Sequence, residues 1–69
     1  MLKFALTGNT HIALCDLLKI LKLCDTGAAA KHVIADGKVK VNGAVELRKR
    51  AKIIANQVVE YNGEQIKVV

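Results

Sequence analysis

The sequence predicts an α+β fold in which two N-terminal helices pack on a small, mostly antiparallel sheet. Three observations carry this expectation. Apolar residues recur with a helical period as far as Ile34, and the period falls to two after Gly37. Two Asn-Gly pairs, Asn42-Gly43 and Asn62-Gly63, then mark tight turns in the second half. At 69 residues the chain is expected to form one domain spanning 1–69. A domain of this size buries only about 60% of its unfolded surface, so it needs disulfides, a metal, a partner copy or a dense apolar core. With 52% apolar residues and only two cysteines, the core is the expected solution.

The elements follow in order. "KFAL" (3–6) alternates, with Phe4 and Leu6 on one side, as a short strand does. Thr10 offers a hydroxyl to cap a first helix over 11–23, "HIALCDLLKILKL". Leu14, Leu17, Leu18 and Leu21 lie at i, i+3, i+4 and i+7 on its inner face, while Asp16, Lys19 and Lys22 point elsewhere. Asp25 or Thr26 caps a second helix over 27–36, whose apolar face is Ala30, Val33 and Ile34. Its small opening residues, Gly27 to Ala30, admit close approach of another backbone, and Gly37 ends it. Val39 and Val41 then face inward and Lys38 and Lys40 outward, before Asn42-Gly43 turns the chain back into "AVEL" (44–47). Ile53 and Ile54, a turn at 55–57, and the hairpin "VVEYNGEQIKVV" (58–69) complete the sheet. The expected core is Leu14, Leu17, Leu18, Leu21, Ala30, Val33, Ile34, Val39 and Val41.

Catalysis finds little support. There is no serine, and His11 and His32 lie on different helices with no carboxylate spaced to orient either. The glycines stand singly at turns, so no phosphate-cradling loop is present. No catalytic residue is expected, and the chain is read as not an enzyme. Cys15 and Cys24 lack a CxxC or Cys/His set, which predicts free thiols in a reducing cytoplasm, with no metal and no cofactor. No signal peptide is expected at the start, and the apolar runs are too short to span a membrane. A monomer is expected.

The charge is uneven. Net charge is +5, and the segment 31–52 holds all of it: Lys31, Lys38, Lys40, Arg48, Lys49, Arg50 and Lys52 face only Asp36 and Glu46. Outside that segment cations and anions cancel. Such concentration is the footprint of a polyanion partner, because clustered like charges repel until an anion neutralises them. Arginine forks can then hold phosphate oxygens bidentately. His32, beside Lys31 on the exposed side of the second helix, can donate to a phosphate or a ribose hydroxyl. The candidate site is therefore Lys31, His32, Lys38, Lys40, Arg48, Lys49, Arg50 and Lys52, with His11 read as a surface residue. Double-stranded DNA, or an acidic protein met by an adaptor, are the alternative partners. A recognition helix needs polar residues near its start, whereas the second helix begins Gly-Ala-Ala-Ala.

The stretch "TGAAAKHVIADGKVKVNG" (26–43) resembles the signature of the RNA-binding domain first seen in small-subunit ribosomal protein S-four. Thr26, Ala30, Lys31, His32, Val33, Ile34, Gly37, Val39, Lys40, Val41, Asn42 and Gly43 match it in kind and spacing. "CDLLKILKL" suits its first helix and "ANQVVEYNGEQIKVV" its closing strands, so the resemblance covers nearly the whole chain. With "VELRKRAKI" the sequence is similar to the short, free-standing YbcJ-like group of bacterial proteins. The resemblance implies the αL motif, with structured RNA, ribosomal or transfer RNA among the candidates, held by the second helix and the basic loop. Gly27 departs from the pattern, standing where most members carry an arginine, which leaves one phosphate contact usual in the family open here.

Overall fold

The computed structural model describes every residue from Met1 to Val69. Its elements, in chain order, are β1 (Leu2–Phe4), β2 (Ile12–Ala13), α1 (Leu14–Ile20), α2 (Gly27–Ala35), β3 (Val39–Val41), β4 (Ala44–Val45), β5 (Lys52–Ile53), β6 (Val58–Tyr61) and β7 (Glu64–Val68). Five strands form one sheet in the order β1-β7-β6-β3-β4, and β2 pairs with β5 in a separate two-stranded ribbon. All pairings are antiparallel except β1 with β7, which is parallel. The class is thus α+β, with two helices on a mixed sheet. No helix is long and apolar enough to cross a membrane.

The turns form where the sequence places them. Asn42 and Gly43 take φ of 51° and 84°, and Asn62 and Gly63 take 52° and 80°. Both residues of each pair are left-handed, as a type I′ turn requires. Asn42 also lengthens the sheet. Its amide N–H donates to Val58 O (2.8 Å), and its side-chain Oδ1 accepts from Val58 N (2.9 Å).

α2 begins and ends as expected: Thr26 Oγ1 accepts from the Ala29 amide at 3.0 Å, and Gly37 (φ 77°) closes it. Gly37 N donates to Ile34 O and Lys38 N to Val33 O, so two terminal carbonyls are satisfied in a Schellman arrangement. α1 is shorter than the periodicity suggests. Residues 11–13 are not helical, because Ile12 and Ala13 pair with Ile53 and Lys52. Thr10 accordingly caps nothing; its hydroxyl contacts His11 Nδ1 instead. At the other end Lys22 adopts φ 60° and makes the same Schellman closure without a glycine, with Lys22 N to Lys19 O and Leu23 N to Leu18 O. The expected 11–23 helix is therefore interrupted at both ends.

One cluster of buried side chains joins helices and sheet. It contains Leu14, Leu17 and Leu18 from α1, Ala30 and Ile34 from α2, and Val39, Val59, Ile66 and Val68 from the sheet. Leu6, Cys15, Cys24, Ala51 and Ile53 complete it from loops, helix and ribbon. Of the expected core, Leu21, Val33 and Val41 are only partly buried and pack against its margin. Each lies where its face meets solvent at an element's end. Both cysteines are buried and unbonded. Burial raises the Cys24 thiol pKa, aided by the Asp25 charge, while a hydrogen bond with Tyr61 pulls it the other way.

Candidate nucleic-acid interface

The basic loop runs from β4 to β5, and its backbone is tied to α1. Leu14 N donates to Ala51 O at 2.9 Å and Cys15 N to Lys49 O at 3.1 Å. These are orphan amides of the first helical turn, and Ala13 at the N-cap has no side chain to satisfy them. The loop's carbonyls perform the capping, so the loop cannot shift without uncapping the helix. At its other end the loop lies against the exit of α2. A Cβ placed on Gly37 would stand 3.7 Å from Val45 Cγ1 and 3.8 Å from Leu47 Cδ2. The basic loop thus touches one end of each helix.

Arg48, Lys49 and Arg50 are exposed, as is Lys52 at the start of β5. Arg48, Arg50 and Lys52 line one open concavity together with the buried Ala51. This is the clearest convergence among the expected site residues. Arg48 is not free, however. Glu46 Oε2 accepts from the Arg48 backbone N–H (3.0 Å) and from Nε (3.1 Å), and Oε1 accepts from Nη2 (3.0 Å). The Arg48 side chain is 80% exposed and that of Glu46 only 18%. Hydrogen bonding by Arg48 lowers the Glu46 pKa, and the same bonds raise that of Arg48.

The remaining candidates divide by location. Lys31 and His32 are exposed on α2, and His32 Nε2 lies 3.3 Å from Asp36 Oδ2, one turn further along. The expectation that no carboxylate orients either histidine is therefore corrected at His32: i,i+4 spacing on a helix brings these two side chains together. Lys38 is exposed at the helix exit. Lys40 is exposed in β3, where Val39 points into the core, so Lys40 faces the side of the sheet away from the helices. There it stands in register with Glu60 on β6 and Val45 on β4. The structure thus brings Arg48, Arg50 and Lys52 together, sets Lys31 and His32 on the neighbouring helix, and leaves Lys40 on another face. Sequence reasoning missed Glu46, whose signal was a carboxylate two residues before an arginine just past a strand.

A family model described as the S4 domain matches residues 4–69. The chain belongs to the S4 domain family. Among S4 relatives, YbcJ of Escherichia coli (strain K12), named as a candidate RNA-binding protein, is 51% identical over 69 residues, covering 100% of this chain and 99% of that one. YbcJ of Shigella flexneri, named as uncharacterized, matches with the same identity and coverage. The solution structure of E. coli YbcJ superposes with a TM-score of 0.77 at 51% identity, over 100% of this chain and 87% of that one. That structure is described as revealing an αL motif involved in RNA binding.

Proposed function

We propose that this chain is a non-catalytic RNA-binding protein, a single domain over 1–69 that grips structured RNA through its phosphates. The observation that carries the reading is the concavity ringed by Arg48, Arg50 and Lys52 on a loop whose backbone is fixed to α1. A fixed cationic loop binds a polyanion at lower ordering cost than a mobile one. Lys49 adds charge to the same loop, and Lys31, His32 and Lys38 extend the surface along α2. Lys40, beside Glu60 on the outer sheet face, carries the smallest share. The names given to the E. coli relative and its structure favour RNA over other polyanions.

The aromatic residues narrow the substrate. Phe4 and Tyr61 are the only two, and both are half-buried against the core, so no stacking platform for splayed bases is available. Recognition by backbone and shape suits a folded RNA, of which ribosomal and transfer RNA are the leading classes. The buried, unbonded Cys15 and Cys24 fit work in a reducing cytoplasm, and the same reading takes the chain to act as a monomer.

Competition at matched length and salt tests this reading. A labelled RNA stem-loop is challenged with unlabelled stem-loop, single-stranded RNA or duplex DNA. The stem-loop should compete best. Equal competition by DNA reduces the reading to bulk charge, preference for DNA replaces it with a DNA binder, and no binding at all leaves a protein adaptor.

A further inference from the structure

Glu46 is the one anion inside the basic loop, and its placement is specific. Its amide N donates to Val39 O at 3.0 Å, which continues the β3–β4 ladder by one residue and aligns Glu46 with a core-facing valine. The carboxylate is thereby turned inward, and three donors of a single residue, Arg48, converge on it. An exposed ion pair contributes little to stability, so stability does not explain the arrangement. Orientation does. A guanidinium has five N–H bonds in a rigid plane. Glu46 occupies Nε–H and one N–H of Nη2, leaving the outer edge, with both N–H of Nη1 and the second of Nη2, unused. Arg48 also lines the concavity it shares with Arg50 and Lys52.

We propose that Glu46 is a positioning residue for RNA recognition: it clamps the inner edge of Arg48 so that the outer edge stands as a preformed fork for a phosphate in that concavity. This inference rests on the RNA-binding reading above. Lysine cannot substitute at 48, because a single ammonium cannot hold the Glu46 carboxylate in a planar two-point grip and present a second fork to phosphate. The lowered Glu46 pKa agrees in direction, since the hydrogen bonds from Arg48 favour the charged carboxylate.

The test exploits opposite signs. Glu46→Gln removes a negative charge from a loop that binds a polyanion, so charge alone predicts tighter binding. Positioning predicts weaker binding, by roughly two- to tenfold, the cost of ordering one rotamer-rich side chain on association. Affinities of wild type, Glu46→Gln and Arg48→Lys for one labelled RNA stem-loop are measured by fluorescence anisotropy, with thermal unfolding recorded for each. Weaker binding by both variants, at unchanged melting temperature, supports the clamp; Arg48→Lys keeps the charge, so its loss cannot be electrostatic. If wild type binds and Glu46→Gln binds equally or more tightly, the clamp is overturned while RNA binding stands. Should Glu46→Gln fail to fold, Arg48→Lys decides alone, and wild-type affinity from it overturns the clamp. Absence of binding by wild type overturns both ideas together.

Discussion

The Lys49 carbonyl accepts the amide hydrogen of Cys15 at 3.1 Å, so the most basic turn of the chain is also a cap for its first helix. Backbone and side chains of this turn therefore have separate tasks. Carbonyls point inward to α1, and cations point outward to solvent. This division lets the cations be changed without disturbing the fold.

The first prediction follows from that division. Replacing Arg48 and Arg50 together by Ala should weaken every RNA tested and leave folding nearly intact. If about three to five phosphates are engaged, log affinity falls against log salt with a slope of about −2 to −4, and the double variant should flatten it by about one to two units. The control removes equal charge elsewhere, with Lys19→Ala and Lys22→Gly. Filter binding over a salt series should show the control retaining most of its affinity. Equal losses in both variants would mean that only total charge matters.

Lys22 supplies a second prediction. It holds φ 60° at the C′ position of α1, where a side chain is disfavoured by about 1–2 kcal/mol relative to glycine. Lys22→Gly should raise stability by up to about 1 kcal/mol once glycine's greater unfolded freedom is counted. Urea unfolding at neutral pH measures it, and a lower midpoint would contradict the strain.

Leu18 is fully buried, and its carbonyl accepts from both Leu23 and Cys24. Leu18→Ala should cost about 2–5 kcal/mol through lost burial and the cavity left behind. In a domain this small most molecules should then be unfolded near body temperature. Thr26→Ala removes only the cap of α2 and should cost about 0.5–2 kcal/mol. Circular dichroism melts should rank the two in that order.

Acid should open the Glu46 clamp. The folded pKa of Glu46 is depressed, chiefly by its side-chain hydrogen bond to Arg48. Its contribution to stability is therefore present above the ordinary glutamate pKa and disappears as pH falls through the lower folded value. A carbon-detected NMR titration of the Glu46 carboxyl should give a midpoint below the ordinary glutamate value. A midpoint at or above that value would contradict the clamp's geometry.

Local signals were the legible ones. Thr26 and Gly37 bracket α2 because a cap hydroxyl and a positive φ are properties of single residues. Both Asn-Gly turns are legible for the same reason. The start of α1 is not, since its caps are carbonyls of Lys49 and Ala51, far along the chain, and the β2–β5 ribbon that displaces residues 12–13 from helix is equally remote. The end of α1 hides because lysine stands where glycine would announce the turn. At the site, charge clustering pointed to Arg48, Lys49, Arg50 and Lys52, but clustering carries no direction. Strand alternation separates Lys40 from them, and the Glu46 clamp depends on the path by which the chain leaves β4 and brings the Arg48 amide onto Glu46 Oε2, which no periodicity encodes.

The parallel pairing of β1 with β7 bears on the order of events in folding. Leu2 meets Ile66, and Phe4 meets Val68, so the seam joins the two most distant segments of the sheet's sequence. Closing so long a loop is entropically late, and β1 has no other strand beside it. The seam should therefore exchange amide hydrogens sooner than the β3–β6 ladder at the centre of the sheet. Its opening bares the inner edges of β1 and β7 at once, which makes the chain's extremities, far in sequence from the basic loop, one place besides the β4 edge where strand pairing between copies would begin.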